Sequence, residues 1–216
     1  GFARGNNLAI KASSAASEWI ALINPDACAD PRWLEELIAA AKCNPEFDVF
    51  ASKLLNAKNP SLMDGTGDAY HVSGRVRRLG IGTQALKAID RKCKVFSPCA
   101  AAALYRRSAI LEANGFDEDY FCYVEDVDLG FRLRLLGHCC LYVPESVVHH
   151  IGSAITGDGS DFSIYHGHRN LVWTYFKNMP GVFFWLFLPL HILLNIFTII
   201  WFGLRGKFSV IMRSKI

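Results

Sequence analysis

The chain has 216 residues, with 23 Lys and Arg against 20 Asp and Glu, for a net charge of +3. That length suits one α/β domain with a full core plus an appendage. The near-balanced charge gives no support for a nucleic-acid partner. Seven cysteines, with no C-x-x-C pair among them, signal neither a disulfide framework nor a zinc knuckle. They read as reduced thiols facing the cytoplasm, several acting as small hydrophobes in apolar runs. The chain opens at Gly1-Phe2-Ala3, without an initiator Met or a signal-peptide pattern, and reads as beginning inside a domain.

Glu18 to Ile23 predicts a short buried strand that ends in Asn24-Pro25-Asp26. Asp30-Pro31 then predicts a helix start, with Asp as N-cap and Pro at the first helical position. Glu35 and Glu36 sit in its first turn, and Trp33, Leu34, Leu37, Ile38 and Ala41 recur at helical spacing. A second strand covers Asp48 to Leu55. This β–loop–α–β order is the grammar of a parallel sheet with crossover helices.

Residues 56–94 are Gly-rich and polar, and basic around Arg75, Arg77 and Arg78. Within them Ala69 to Leu79 predicts a hairpin centred on Ser73-Gly74. Val95 to Tyr105 predicts a small-residue strand, followed by a short helix ending near Asn114-Gly115. An acidic run opens the next helix, which continues to Leu136 and stops at Gly137. Cys139 to Val143 predicts a further strand, broken by Pro144. An aromatic, basic segment from Asp161 leads into Val182 to Leu204, which carries no formal charge. That stretch is long enough to cross a hydrocarbon core of about 30 Å. Pro189, His191 and Asn195 interrupt it, leaving two readings: a span, or a helix lying in the interface.

Three clusters carry chemistry. The run from Phe116 to Leu133 places Asp117, Glu118, Asp119, Glu125, Asp126 and Asp128 among aromatic and aliphatic residues. Burying an unpaired carboxylate costs several kcal/mol, on the order of 3–5, so such a cluster needs a metal, a basic site or a proton to move. Asp126 is the candidate general base, with Glu125 and Asp128 beside it. The second cluster is Asp26, just beyond a strand end, where ligands bind in open α/β sheets. A carboxylate there suits magnesium or manganese on a diphosphate leaving group. The third is His149-His150 at a later strand exit. Neighbours on an extended chain point to opposite sides, so at most one of the two ligates.

Several segments together resemble the family-2 inverting glycosyltransferases, in particular the bacterial rhamnosyltransferase-like branch that builds surface polysaccharides. They are Gly5-Asn6-Asn7-Leu8-Ala9-Ile10, Asn24-Pro25-Asp26, Ala102-Ala103-Leu104-Tyr105-Arg106-Arg107 and Gly115-Phe116-Asp117-Glu118. Further along come Glu125-Asp126-Val127-Asp128-Leu129, His150-Ile151-Gly152-Ser153-Ala154 and His168-Arg169-Asn170-Leu171-Val172-Trp173. The ordered set covers nearly the whole chain.

The resemblance implies an α/β, GT-A (Rossmann-like), mostly parallel sheet lacking its first βα units, which in the family hold the nucleotide base and ribose. It implies a partial catalytic domain over 1–160 and a hydrophobic, membrane-associated helical segment over 161–216, with 182–204 as a possible transmembrane helix. Asp126, with Glu125, is then catalytic, and Asn7, Asn24, Asp26 and Arg169 lie on the donor side. Phe116, Asp117 and Asp128 lie on the acceptor side, with Arg132 supporting the acidic cluster. Asp26 and His150 hold a divalent metal, Mn or Mg. The implied partners are a nucleoside-diphosphate sugar, a glycan or lipid-linked acceptor, and the cytoplasmic face of the bacterial inner membrane. The implied reaction is an inverting single displacement, with rhamnose as the family-level lean for the sugar. Alternatives are a polyprenyl-phosphate glycosyltransferase, a non-catalytic glycan-binding or scaffold remnant and, last, a glycosidase with paired carboxylates.

Overall fold

A computed structural model describes residues 1–87, 91–152 and 159–215. In chain order the elements are α1 (Phe2–Ala12), β1 (Trp19–Ile23), β2 (Ala27–Ala29), α2 (Trp33–Cys43), β3 (Val49–Asn56) and β4 (Met63–Gly65). They continue with β5 (Asp68–Tyr70), β6 (Val76–Arg78), β7 (Cys93–Val95), β8 (Ala102–Arg106), α3 (Arg107–Glu112) and α4 (Glu125–Leu135). Then come β9 (Cys140–His150), α5 (Asp161–Asn178), α6 (Gly181–Gly203) and α7 (Phe208–Arg213).

The main sheet runs β1-β8-β3-β9-β2, with β4 beside β3 and β7 beside β9. It is mixed, which corrects the expectation of a mostly parallel sheet: among the described residues only β3 and β9 pair in parallel. The reason lies in β8. The chain reaches it through the excursion over 57–101 rather than a crossover helix, so it inserts antiparallel between β1 and β3. Its Ala102-Ala103-Leu104-Tyr105 core is wholly buried, and two adjacent alanines let helices approach from both sides.

Alternation along the strands gives the sheet two apolar faces. Leu22, Val49, Ala103, Tyr105 and Tyr142 pack on α1, α3 and α4 through Ile10, Ile110, Leu129 and Leu133. Phe50, Leu54, Leu104, Leu141 and Val148 pack on α2 through Trp33, Leu37 and Ala40. Gly130 lets α4 approach the loop before β8, since a Cβ there would lie 2.3 Å from the Ser97 Cβ.

Three local expectations change. Helix α2 begins at Trp33, whose N–H is accepted by the Asp30 carbonyl at 2.9 Å, with no side-chain cap. The Val95 to Tyr105 strand is two strands, because Phe96 and Ser97 bond Asp68 of the hairpin at 3.0 and 2.8 Å and Pro98 cannot donate to a ladder. Pro144 does not end β9. The ladder instead jumps from Ser52–Val143 to Lys53–Val147, and Ser146 in the bulge bonds the Trp33 carbonyl and the Ser52 hydroxyl. The β5–β6 hairpin forms as expected, antiparallel, with Gly74 at φ +85° in its turn.

The seven cysteines are unpaired. Helix α5 packs on α4, and α6 folds back over it: the Tyr175 ring stacks on His191 at 4.0 Å, and its hydroxyl donates to the Phe184 carbonyl. His191 reaches the hairpin, its Nδ1–H donating to the Ser73 carbonyl at 2.7 Å. A carbonyl only accepts, so the tautomer is fixed and Nε2 is left to accept from Asn195 Nδ2 at 3.0 Å. Most other α6 side chains are exposed, among them Val182, Trp185, Leu186, Leu193 and Phe197. This helix is long and apolar enough to cross a membrane.

Candidate functional site

The carboxyl ends of β1, β3 and β9 meet at one sheet edge, where the turn after β1 is fixed by backbone bonds. The Asn24 N–H donates to the Ala101 carbonyl at 2.9 Å, and the Asp26 carbonyl accepts from Ile151 at 3.0 Å. Asp26 Oδ1 thereby stands 3.4 Å from His150 Nε2. The other ring nitrogen of His150 lies 2.8 Å from Asp64 Oδ2. Strand alternation turns His149 away, toward Asp30 at 3.4 Å, so one histidine of the pair reaches the site.

The line of charge continues beyond His150. Asp64 lies 3.9 Å from the Arg78 guanidinium, and Arg78 Nε lies 3.5 Å from Asp68 Oδ1. Register explains the convergence: Asp68 and Arg78 are directly opposed in the hairpin, so both side chains leave the same face. Arg78, Asp68 and Asp126 then line one cavity of about 340 Å³, together with Tyr123, Ser163 and His168.

Asp126 sits in the first turn of α4. Its Oδ2 accepts the Ala100 N–H at 3.1 Å and its Oδ1 the Val127 N–H at 2.9 Å, which fixes the carboxylate against the loop before β8. Glu125 is buried behind it, with Oε2 unpartnered among the described residues. Burial first, and the neighbouring Asp126 second, push its carboxyl up to about 8. Asp68 is pushed up to about 7, by burial against the opposing pull of Arg78. His168 is pushed down to about 4, by burial and then by Lys215. The cavity thus sets the Arg78 guanidinium beside the proton-retaining Asp68 and the backbone-anchored Asp126, a pattern from which acid–base sites are built.

The segment leading into α4 is strained. Phe121, Tyr123 and Val124 all have positive φ, at 63°, 68° and 66°, and Val124 is β-branched. Each such residue costs roughly 1–3 kcal/mol and persists only where its surroundings hold it. Asn170 does the holding. Fully buried on α5, its amide donates to the carbonyls of Tyr120, Cys122 and Tyr123 at 3.0, 2.9 and 2.7 Å.

The remaining expected site residues lie outside the cavity lining. Asn7 clamps the Phe116 backbone, donating to its carbonyl and accepting its N–H, both at 2.8 Å. Phe116 is buried against Phe2, and Asp117 pairs with Lys177 at 2.5 Å. Asp128 is buried, bonded to Arg132 at 2.7 Å and to Asn178 at 2.7 Å. Arg132 also donates to the carbonyls of Ala113 and Gly115. Arg169 donates to the carbonyls of Asp119 and Tyr120 and lies over the Trp173 ring. None of these five, Asn7, Phe116, Asp117, Asp128 or Arg169, lines the cavity. Ser153 and Ala154 of the motif after His150 lie outside the described residues.

Among the described residues no group of three or more His, Cys, Asp or Glu side chains converges as a closed metal site. The open pair of Asp26 and His150 still fits a divalent cation. Such ions on phosphate substrates use one or two protein ligands, and the contact of Asp64 to the far nitrogen of His150 is the carboxylate–histidine arrangement that orients a ligating ring. Asp64, Asp68 and the inward aim of Arg78 escaped sequence reasoning. Their signal was the run Asp64-Gly65-Thr66-Gly67-Asp68, two acids spaced by glycines ahead of a basic hairpin strand.

The sequence profile described as "Glycosyltransferase like family 2" matches residues 1–179. The chain belongs to glycosyltransferase family 2. Among curated relatives of this family-2 chain, the N-acetylglucosaminyl-diphospho-decaprenol L-rhamnosyltransferase of Mycobacterium tuberculosis is 29% identical over 160 residues, 65% of this chain and 49% of the relative. Rhamnosyltransferase WbbL of Escherichia coli is 49% identical over 47 residues, 21% of this chain and 18% of that protein. The chain therefore spans about half the length of the mycobacterial relative. In fold it matches GalNAc-T7, solved with UDP, GalNAc and Mn2+, at a TM-score of 0.59 and 15% identity, covering 81% of this chain and 34% of that one. It also matches the mannosyltransferase PcManGT of Pyrobaculum calidifontis, solved with GDP-Man and Mn2+, at 0.52 and 13%, covering 99% and 53%. The mixed α/β sheet of this family-2 chain thus has the GT-A fold of those two structures.

Proposed function

We propose that the chain carries the acceptor-activating and diphosphate-binding half of an inverting glycosyltransferase. Its donor is a nucleoside-diphosphate sugar, with rhamnose favoured, and its acceptor a hydroxyl of a lipid-linked cell-surface glycan. One observation carries this reading: an unbroken line of contacts from Asp26 through His150, Asp64 and Arg78 to the cavity that holds Asp126. It gives the two things that sugar transfer needs, a polar cradle for a departing diphosphate and a fixed carboxylate a short distance away.

Asp126 takes the proton from the acceptor hydroxyl as its oxygen attacks the anomeric carbon. The bond from that carbon to the diphosphate oxygen breaks on the opposite face, which inverts the centre. Arg78 lies where it can offset the negative charge that develops on the leaving group. Asp26 and His150 would hold a Mn or Mg ion, which supplies further charge neutralisation at the diphosphate. Glu125, kept protonated at neutral pH by burial, adds no second charge beside the base. Asn24 sets the turn that aims Asp26, while Asn7, Phe116, Asp117, Asp128 and Arg169 act on donor and acceptor by fixing the walls around them.

We place this chemistry at the cytoplasmic face of the inner membrane, with α6 lying in the interface. The polar middle of α6, His191 and Asn195, is bonded to the hairpin and to α5. An upright helix would carry the hairpin's exposed His71, Arg75 and Arg77 toward the bilayer centre, at about 2.5–3.5 kcal/mol per arginine.

The test is calorimetric titration of a panel of nucleoside-diphosphate sugars with and without Mn2+. It should be run on this chain and on the product of the complete reading frame that encodes it. Manganese-dependent binding that disappears in Asp26→Ala supports the reading and names the donor. Binding to none of the panel by either protein would overturn it.

A further inference from the structure

The β5–β6 hairpin is a thin wall with two different faces. Asp68 and Arg78 point inward, while Arg77, opposed to Ala69, leaves the other face. On that outer side, between the hairpin and α6, lies a second cavity of about 590 Å³. Its hairpin wall carries His71, Arg75 and Arg77, and its helix wall carries Leu190, Leu193 and Leu194. The spacing of the two walls is fixed. The His191 ring bonds the Ser73 carbonyl, and a Cβ on Gly74 would come within 2.6 Å of that ring. Among the described residues neither Arg75 nor Arg77 has a carboxylate partner, whereas Arg78, one residue further on, has two. Two unpaired guanidiniums facing three leucines match a ligand that is anionic at one end and hydrocarbon at the other.

We propose that this second cavity holds the phosphate end of the lipid that carries the glycan acceptor. Arg75 and Arg77 bind the phosphate oxygens, and Leu190, Leu193 and Leu194 contact the first carbons of the hydrocarbon chain. This rests on the lipid-linked acceptor reading above. It adds the site that selects the lipid, on the far side of the hairpin from Asp126. Held there, the phosphate places the attached sugar at the hairpin edge, next to the cavity in which its hydroxyl would be deprotonated.

The experiment is flotation of the full chain with sealed vesicles of three kinds. They are phosphatidylcholine alone, phosphatidylcholine with phosphatidylglycerol, and phosphatidylcholine with a long-chain polyprenyl phosphate at matched charge. Each arginine near a membrane phosphate is worth roughly fivefold, so the polyprenyl vesicles should bind about 30-fold more tightly than phosphatidylcholine alone. The gain should exceed that from phosphatidylglycerol and should survive excess inorganic phosphate. Arg75→Gln with Arg77→Gln should abolish the gain and leave binding to plain phosphatidylcholine unchanged. Leu193→Glu, at an exposed position, should reduce it as well. Equal gains from the two anionic lipids would overturn the site in favour of general charge attraction, as would a gain that persists in the double variant. Nucleotide-sugar binding measured on the same samples separates the two readings. Donor binding without polyprenyl preference removes this site alone. Polyprenyl preference without donor binding removes the transferase reading and keeps the lipid site.

Discussion

Two neighbouring carboxyl groups, Glu125 and Asp126, sit in different surroundings. Asp126 faces the cavity, its two oxygens anchored by backbone N–H groups. Asp126→Asn keeps at most one of those contacts, because its side-chain NH2 cannot accept the second backbone N–H, and it cannot accept the acceptor proton. Transfer should fall by about 10²–10⁴, with the affinity for the donor changed little; full turnover in that variant would remove the assignment. Glu125 carries a thermodynamic signature instead. Its carboxyl rises from an ordinary 4.5 to about 8 on folding, so the native state holds the extra proton through that window. Its contribution is therefore unfavourable, growing as pH rises from 4.5 toward 8 and absent below it. Glu125→Gln should raise Tm on the order of 5 °C at pH 8 and leave it unchanged near pH 4. A Tm that drops at both pH values would mean that the unpartnered oxygen has a native partner after all.

Individual elements matter here for what they hold in place. The strained approach to α4 is fastened by one amide on α5, and α5 is also tied to the acidic run through Asn178–Asp128 and Lys177–Asp117. Asn170→Ala would remove the amide donor to the Cys122 and Tyr123 carbonyls, while that of Tyr120 keeps Arg169 and the Cys122 N–H, a loss of about 1–3 kcal/mol in urea unfolding. Because the released segment contains Tyr123 and Val124, the cavity should loosen with it, and transfer should fall more than stability alone explains. Gly130→Ala is a second test at this scale. The clash with Ser97 should push α4 off the sheet and cost about 1–3 kcal/mol. Gly167→Ala serves as its control, with open space around the built Cβ on α5.

At the scale of the whole molecule, the proposed placement of α6 in the interface is testable through its two tryptophans. Trp185 and Trp201 stand exposed toward opposite ends of α6. With fluorotryptophan labelling, a paramagnetic reagent added outside sealed vesicles should broaden both signals if the helix lies in the interface. Broadening of only one would show that it spans.

The sequence by itself determined the family. Short ordered motifs such as Asn24-Pro25-Asp26 and Glu125-Asp126-Val127-Asp128 are legible as strings, because each lies on a single local feature, a strand exit or a helix start. The Ser73-Gly74 turn revealed the β5–β6 hairpin, helical spacing revealed α2, and an uncharged run revealed the length and apolarity of α6, since those signals are local. Strand direction was not legible. Nothing in Ala102-Ala103-Leu104-Tyr105 says whether β8 enters the sheet parallel or antiparallel; the route over 57–101 decides that. The continuation of β9 past Pro144 was hidden for the same reason, because it depends on Ser146 finding partners on α2 and β3. The site was half legible. Asp26, His150 and Asp126 stand out as residue types in context, but Asp64, Asp68 and Arg78 acquire their meaning only when the hairpin folds over the sheet edge. Asn7, Phe116, Asp117, Asp128 and Arg169, marked by the same motifs, bond or pack against neighbouring segments outside the cavity lining. Which carboxylates face a cavity and which face a guanidinium is a matter of distance and burial, and only the tertiary structure fixes those.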